Sequence, residues 1–167
     1  MKKGFTLLEA MVVLLISTVI IAALFMTMTS GRSSWSTADT EISLQQDLRK
    51  AIVTMGQELR DSGNAHISCL ANGTPQSSIS FNVSQGVDGT GNMIWSTIPV
   101  NYSVISGQLV RTENGNSEIL ANNITSLAFV RTASAVNIVR INLTAQRTTQ
   151  FSRLINASSN TAVMLRN

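Results

Sequence analysis

The 167-residue sequence is poor in the residues from which chemical sites are usually built: it has one cysteine, one histidine and only 13% charged residues. A lone Cys69 excludes an internal disulfide, and with His66 three positions away it leaves a metal two ligands short. Cys69 therefore reads as a small apolar residue or free thiol. Positive charge is also thin where it would matter. Twelve Lys and Arg face nine Asp and Glu, for a net charge of +3, and the arginines are scattered singly instead of forming a patch. Removing Lys2 and Lys3 would leave ten basic residues against nine acidic ones. The pI near 9.6 thus carries no case for nucleic-acid binding. Asp88 lies in a glycine-rich run at 86–92 that lacks the further carboxylates calcium needs, and the lysine and strand–loop–helix setting phosphate needs. N-x-S/T triplets, such as those at Asn82, Asn101, Asn123 and Asn142, are expected by chance in a chain rich in Asn, Ser and Thr. No catalytic residue, metal ligand or cofactor follows from the sequence.

Apolar residues are abundant, at 44%, and they are concentrated. From Phe5 to Met28 the polar interruptions are Thr6, Glu9, Ser17, Thr18 and Thr27, in a stretch long enough to cross a bilayer as a helix. Lys2 and Lys3 place its start on the cytoplasmic side. The pattern is not that of an ordinary secretory signal, because the basic region is too short, the apolar region too long, and no A-x-A-like site follows. Cleavage is expected ahead of the apolar segment, at the Gly4–Phe5 bond, where a residue without a side chain lets a protease at the membrane face approach. Glu9 is the oddity within the span. A carboxylate there costs about 2.5–3.5 kcal/mol on insertion scales, and the next basic residue after Lys3 is Arg32. Alone, Glu9 reads equally as a carboxylate favoured by the helix dipole one turn from the N-terminus, or as a charge awaiting the Phe5 amine of a neighbour or of its own chain.

The helical pattern continues beyond the span through Trp35, Ala38, Ile42, Leu48, Ile52, Met55 and Leu59, with charged and amide residues between them. Gly31 and Gly56 are expected weak points. The helix should end near Ser62-Gly63-Asn64, with Gly63 as a left-handed cap. After Gly63 the period falls towards two. Strands are expected at 79–83, 98–105 and 108–113 (the last two joined at Ser106-Gly107), through Leu127 and Phe129, at 136–145, and at the terminal 162–167, with a loop at 86–92.

The run KKGFTLLEAMVVLLI closely resembles the class III leader and methylation segment of type IV pilins and type II secretion pseudopilins, over roughly a tenth of the chain. The resemblance implies cleavage after Gly4 and N-methylation of Phe5 by a prepilin peptidase, and an assembly role for Glu9. It also implies an α+β, pilin-like fold: a long transmembrane then amphipathic helix packed on an antiparallel β-sheet. The corresponding segments are a leader at 1–4, a transmembrane helix at 5–28, its amphipathic continuation at 29–62, and a β-rich extracytoplasmic domain at 63–167. Its partners would be other pilin or pseudopilin subunits, the peptidase, an inner-membrane assembly platform and membrane lipid. The shorter stretches Leu48–Ala51, Glu58–Gly63, Tyr102 with Gly107–Arg111, Ile119–Ile124 and Leu165–Asn167 look like W-type minor pilins and J-type minor pseudopilins. The implied function is structural: a subunit that initiates or caps a type IV pilus-like filament, or a minor pseudopilin of a secretion system. A membrane-anchored extracytoplasmic enzyme or receptor is the rival class, and the domain offers it no convergent polar cluster.

Overall fold

A computed structural model describes residues 6–69 and 71–166. One helix, α1 (Leu7–Arg60), is followed by nine strands. These are β1 (Ser62–Ile67), β2 (Ser78–Val87), β3 (Met93–Trp95), β4 (Val100–Ile105), β5 (Gln108–Glu113), β6 (Asn116–Ala121), β7 (Ile124–Thr132), β8 (Ala135–Thr148) and β9 (Leu154–Met164). All strand pairs within the sheets are antiparallel. The first sheet runs β1-β2-β4-β5-β6 with β3 attached to β2, and the second runs β7-β8-β9. The expected α+β, pilin-like arrangement is therefore the observed one, with the sheet divided in two.

At 1.5 Å per residue the 54-residue helix is about 80 Å long. Its first half meets no other part of the chain: the large apolar side chains from Leu7 to Met28 are exposed, and this helix is long and apolar enough to cross a membrane. The hydroxyls within it are satisfied locally. Ser17, Thr18, Thr27 and Thr29 each donate to a carbonyl three or four residues back, at 2.7–2.9 Å. That is how such residues are tolerated in lipid, where an unpaired donor costs several kcal/mol.

The outer half buries Leu44, Leu48, Ala51, Ile52, Met55 and Leu59, a stripe at helical spacing. It packs mainly on β9 and β8, with further contacts to β6, β1 and β2. Across from it lie Ile79, Phe81, Val100, Tyr102 and Leu109 of the first sheet and Phe129, Val139, Ile141, Leu143 and Val163 of the second. Each fully buried Leu, Ile or Met contributes roughly 1.5–3 kcal/mol, so these turns are held far more firmly than propensity alone would hold them.

Several expectations are corrected here. Trp35, Ala38 and Ile42 are exposed, because the fully buried stripe begins only at Leu44 and they precede it. The helix breaks at neither Gly31 nor Gly56. A side chain at Gly56 would stand 3.6 Å from a Val163 methyl, so that glycine lies where β9 packs closely against the helix. Gly63 does not cap the helix. The cap is Asp61, whose N–H donates to Glu58 O at 3.2 Å, and Gly63 belongs to β1. The terminal strand spans 154–164 instead of 162–167, and β2 runs through Gly86 and Val87, into the segment expected to be loop.

Candidate functional site

Of the expected site residues, Gly4 and Phe5 lie outside the described residues, and Glu9 is the one whose surroundings are on view. Thr6 is the helix N-cap, in an extended conformation at φ −83°, ψ 149°. Its Oγ1 accepts the Glu9 N–H at 3.3 Å, and the Glu9 carboxylate reaches back to the Thr6 N–H at 3.5 Å. This capping box pairs two of the amide donors that every helix start leaves free. The Thr6-x-x-Glu9 spacing is the sequence signal of this box. Within its own chain, Glu9 is thus fixed in the first turn against the Thr6 cap, with its carboxylate exposed and the long donor distance leaving it free to accept a stronger partner.

Beyond the membrane segment, distant parts of the sequence converge on three polar clusters. In the first, Glu58 near the end of α1 accepts the Tyr102 hydroxyl at 2.6 Å and Arg111 Nε at 2.9 Å, while Arg111 Nη2 reaches Glu113 at 2.6 Å. Tyr102 has no exposed surface. Burial, then the hydrogen bond and negative charge of Glu58, push its phenol well above its ordinary range. This ties the helix end to the β4–β5 hairpin and places no nucleophile beside a base.

In the second cluster, buried Arg131 of β7 donates to three backbone carbonyls: Val136, Cys69 at 2.9 Å and Asn64 at 3.2 Å. The Cys69 thiol faces Phe129 O at 4.0 Å, and burial raises its pKa against the opposing pull of Arg131. A thiol held in this protonated, enclosed form is a poor nucleophile.

In the third, the His66 imidazole stacks on the Trp95 indole with ring centroids 4.3 Å apart. A Cβ at Gly63 would come within 2.6 Å of that indole, which explains glycine there. Gly63→Ala should displace Trp95 from His66 and destabilise the fold by about 1–3 kcal/mol, read as a red shift of Trp95 emission and a lower urea midpoint.

Asp88 organises its own turn: Oδ1 accepts the Thr90 hydroxyl at 2.7 Å and the Asn92 and Thr90 amides at 2.8 and 2.9 Å. The Thr90 hydroxyl first, then those amides, hold its carboxyl below the usual range. Among the described residues no three His, Cys, Asp or Glu side chains gather as a metal site.

No curated protein matches the chain. Residues 1–25 match the family model described as the prokaryotic N-terminal methylation motif. With a long apolar helix preceding antiparallel sheets, that match supports prepilin-type cleavage and methylation, membrane anchoring and a place in the pilin and pseudopilin superfamily, and it points to a structural, pilin-type protein.

Proposed function

We propose that the chain is a minor pilin or pseudopilin, cut after Gly4 and N-methylated at Phe5 by prepilin peptidase, which helps initiate or cap a type IV pilus-like filament. The observation that carries this is the methylation-motif match over residues 1–25, continuous with an apolar helix whose buried stripe carries the sheets outward. Residues 1–4 act as the leader and 5–28 as the inner-membrane span, with the C-terminal domain in the periplasm or beyond it. The subunit meets the assembly platform and other subunits there and leaves the membrane when the filament grows. Glu9 pairs with the N-terminal amine of a neighbour. Its capping-box bond to Thr6 holds the carboxylate near the helix start until that amine arrives.

The same chemistry serves a minor pseudopilin of a type II secretion system, and the stretches similar to W-type and J-type subunits are shared between the two machines. Two of those stretches meet in the Glu58, Tyr102 and Arg111 cluster, a structural feature either machine would use.

Substitution at Gly4 tests the leader. Gly4→Val should leave residues 1–4 attached, read by intact mass of the membrane-extracted protein; a normally trimmed N-terminus would refute the cleavage assignment. Glu9→Ala should leave membrane insertion intact and lower incorporation into filaments about tenfold or more, since 1.4 kcal/mol already corresponds to tenfold. Wild-type filament levels would sink the pairing role. Deleting the gene should lower filament number more than filament diameter or pitch.

A further inference from the structure

Trp35 is the one aromatic side chain of α1 beyond the apolar segment, and it is 79% exposed. The first fully buried residue, Leu44, lies about 14 Å further along the axis, so the sheets leave the indole uncovered. Its neighbours one turn away on the same helix are Gly31, Arg32, Ala38 and Asp39. Anchors of protein interfaces sit in well-packed, desolvated pockets, and a glycine, an alanine and two charges supply little for one. An indole has a large apolar face and a single N–H donor. With charged neighbours it fits a surface that is apolar on one side and wet on the other.

The position of Trp35 along the helix matches such a surface. Between Leu7 and Trp35 the charged residues are Glu9 and Arg32. A hydrocarbon core about 30 Å thick takes about 20 helical residues, and counted outward from Ala10, just past Glu9, it ends near Thr29. The interfacial layer on each side is about 5–7 Å deep. The Cα of Trp35 stands about 9 Å beyond Thr29. Long helical side chains lean over the turn N-terminal to their own Cα, which brings the indole back by up to about 5 Å, into that layer. Arg32, one turn nearer the span on the same face, has its Cα about 4.5 Å beyond Thr29, at headgroup level. It forms no ion pair among the described residues.

We infer that Trp35 is a lipid-interface anchor: in the membrane, before assembly, its indole lies among the glycerol and headgroup atoms of the leaflet facing the sheets, with Arg32 on a lipid phosphate. The inference rests on the membrane reading of α1 and adds what holds the outer end of the span in place. Tryptophan collects at this depth because the layer offers acyl chain to the ring and ester carbonyls to the N–H. The pair sets how deep the subunit waits. When residues 1–4 leave, Lys2 and Lys3 leave with them, and Arg32 and Trp35 become the polar marker of the span opposite Glu9. Drawing the subunit out of the bilayer then requires this pair to let go of the lipid surface.

Full-length protein reconstituted into vesicles of phosphatidylethanolamine and phosphatidylglycerol tests this. Flotation with the vesicles reports on the span by itself, and a chain that stays behind refutes the membrane reading. On chains that float, the Trp35 signal is the wild-type emission less that of Trp35→Phe, since Trp95 is the only other tryptophan. Acyl chains brominated beside the glycerol should remove most of that signal, while chains brominated near the methyl end and aqueous iodide should remove little. Quenching by iodide alone would place the indole in water and overturn the proposal. Shielding from iodide and from both lipids would mean a protein contact, such as a neighbouring copy, and would overturn it as well. Depth is read in a Thr29→Cys background with a membrane-impermeant maleimide, to which buried Cys69 stays silent. Trp35→Ala should speed labelling about tenfold, because Arg32 and Asp39 then draw the helix outward unopposed. Trp35→Tyr, which keeps an interfacial ring, should leave labelling slow. Unchanged or slower labelling in Trp35→Ala would refute the depth role.

Discussion

Arg131→Met should lower the unfolding free energy by about 3–5 kcal/mol, making it the most damaging single change in the sheet region. Arg131 is 7% exposed, and its guanidinium spends its donors on main-chain carbonyls of three separate segments: the start of β8 at Val136, the stretch after β1 at Cys69, and β1 itself at Asn64. Removing it leaves one buried and two part-buried carbonyls without this donor, and it loosens β1, which is otherwise held by its ladder to β2 and contributes few apolar contacts to the core. Methionine refills the volume, so the loss measures hydrogen bonding more than cavity formation. Arg131→Lys should recover less than half of the stability, because an ammonium cannot present the planar fork that spans three acceptors. Urea unfolding of the full chain in detergent gives both numbers. Trp95 emission should shift before the global transition as the β1–β3 corner detaches.

Glu58→Ala should cost about 2–4 kcal/mol. The carboxylate is the shared acceptor for Tyr102 and Arg111, and without it a fully buried hydroxyl is unpaired and Arg111 keeps only Glu113. The cluster also sets an alkaline limit. An unfolded tyrosine loses its proton near pH 10, while burial and Glu58 hold the native phenol protonated to higher pH. Above that point the unfolded state binds fewer protons than the native state, so stability falls as pH rises. Cys69, raised by burial from 9.0, adds the same sign of slope from a lower pH. Urea midpoints measured from pH 8 to 11 should decline. Tyr102→Phe should flatten the part of the decline above pH 10, and Cys69→Ala the part that begins near pH 9.

The long helix and the better strands were legible because their burial is periodic: Leu48, Ile52, Met55 and Leu59 on α1, Ile79 and Phe81 on β2, and Val139, Ile141 and Leu143 on β8 follow their geometry residue by residue. Trp35, Ala38 and Ile42 share the apolar spacing of the helix yet stay exposed, because sequence periodicity records apolar spacing and not where the covering sheet begins. Strand β6 was missed although Asn114-Gly115, both at positive φ, is a strong hairpin signal of the same kind as Ser106-Gly107. Its residues 116–119 are exposed and carry no alternation. Most of β9 was missed for a related reason. Asn156, Ser158, Ser159 and Asn160 have low strand propensity, and pairing with β8 together with the helix laid across the inner face imposes the extended form. The polar clusters were illegible because each joins residues far apart in the sequence, as Glu58 and Tyr102 are at 44 positions. At the N-terminus the opposite holds, since Thr6 and Glu9 act locally and the chemistry sits in consecutive residues.

The unbroken run of α1 has a mechanical consequence. Its six buried residues lock the outer turns to both sheets, and its inner turns continue the same hydrogen-bonded rod through the apolar segment. A pull on the sheets is therefore carried along the axis to Leu7 without a joint to absorb it. A tilt of 10° at the inner end would sweep the Arg60 end sideways by about 14 Å, taking the rod at 1.5 Å per residue. The chain is built as a lever, with its load at one end and its seat at the other.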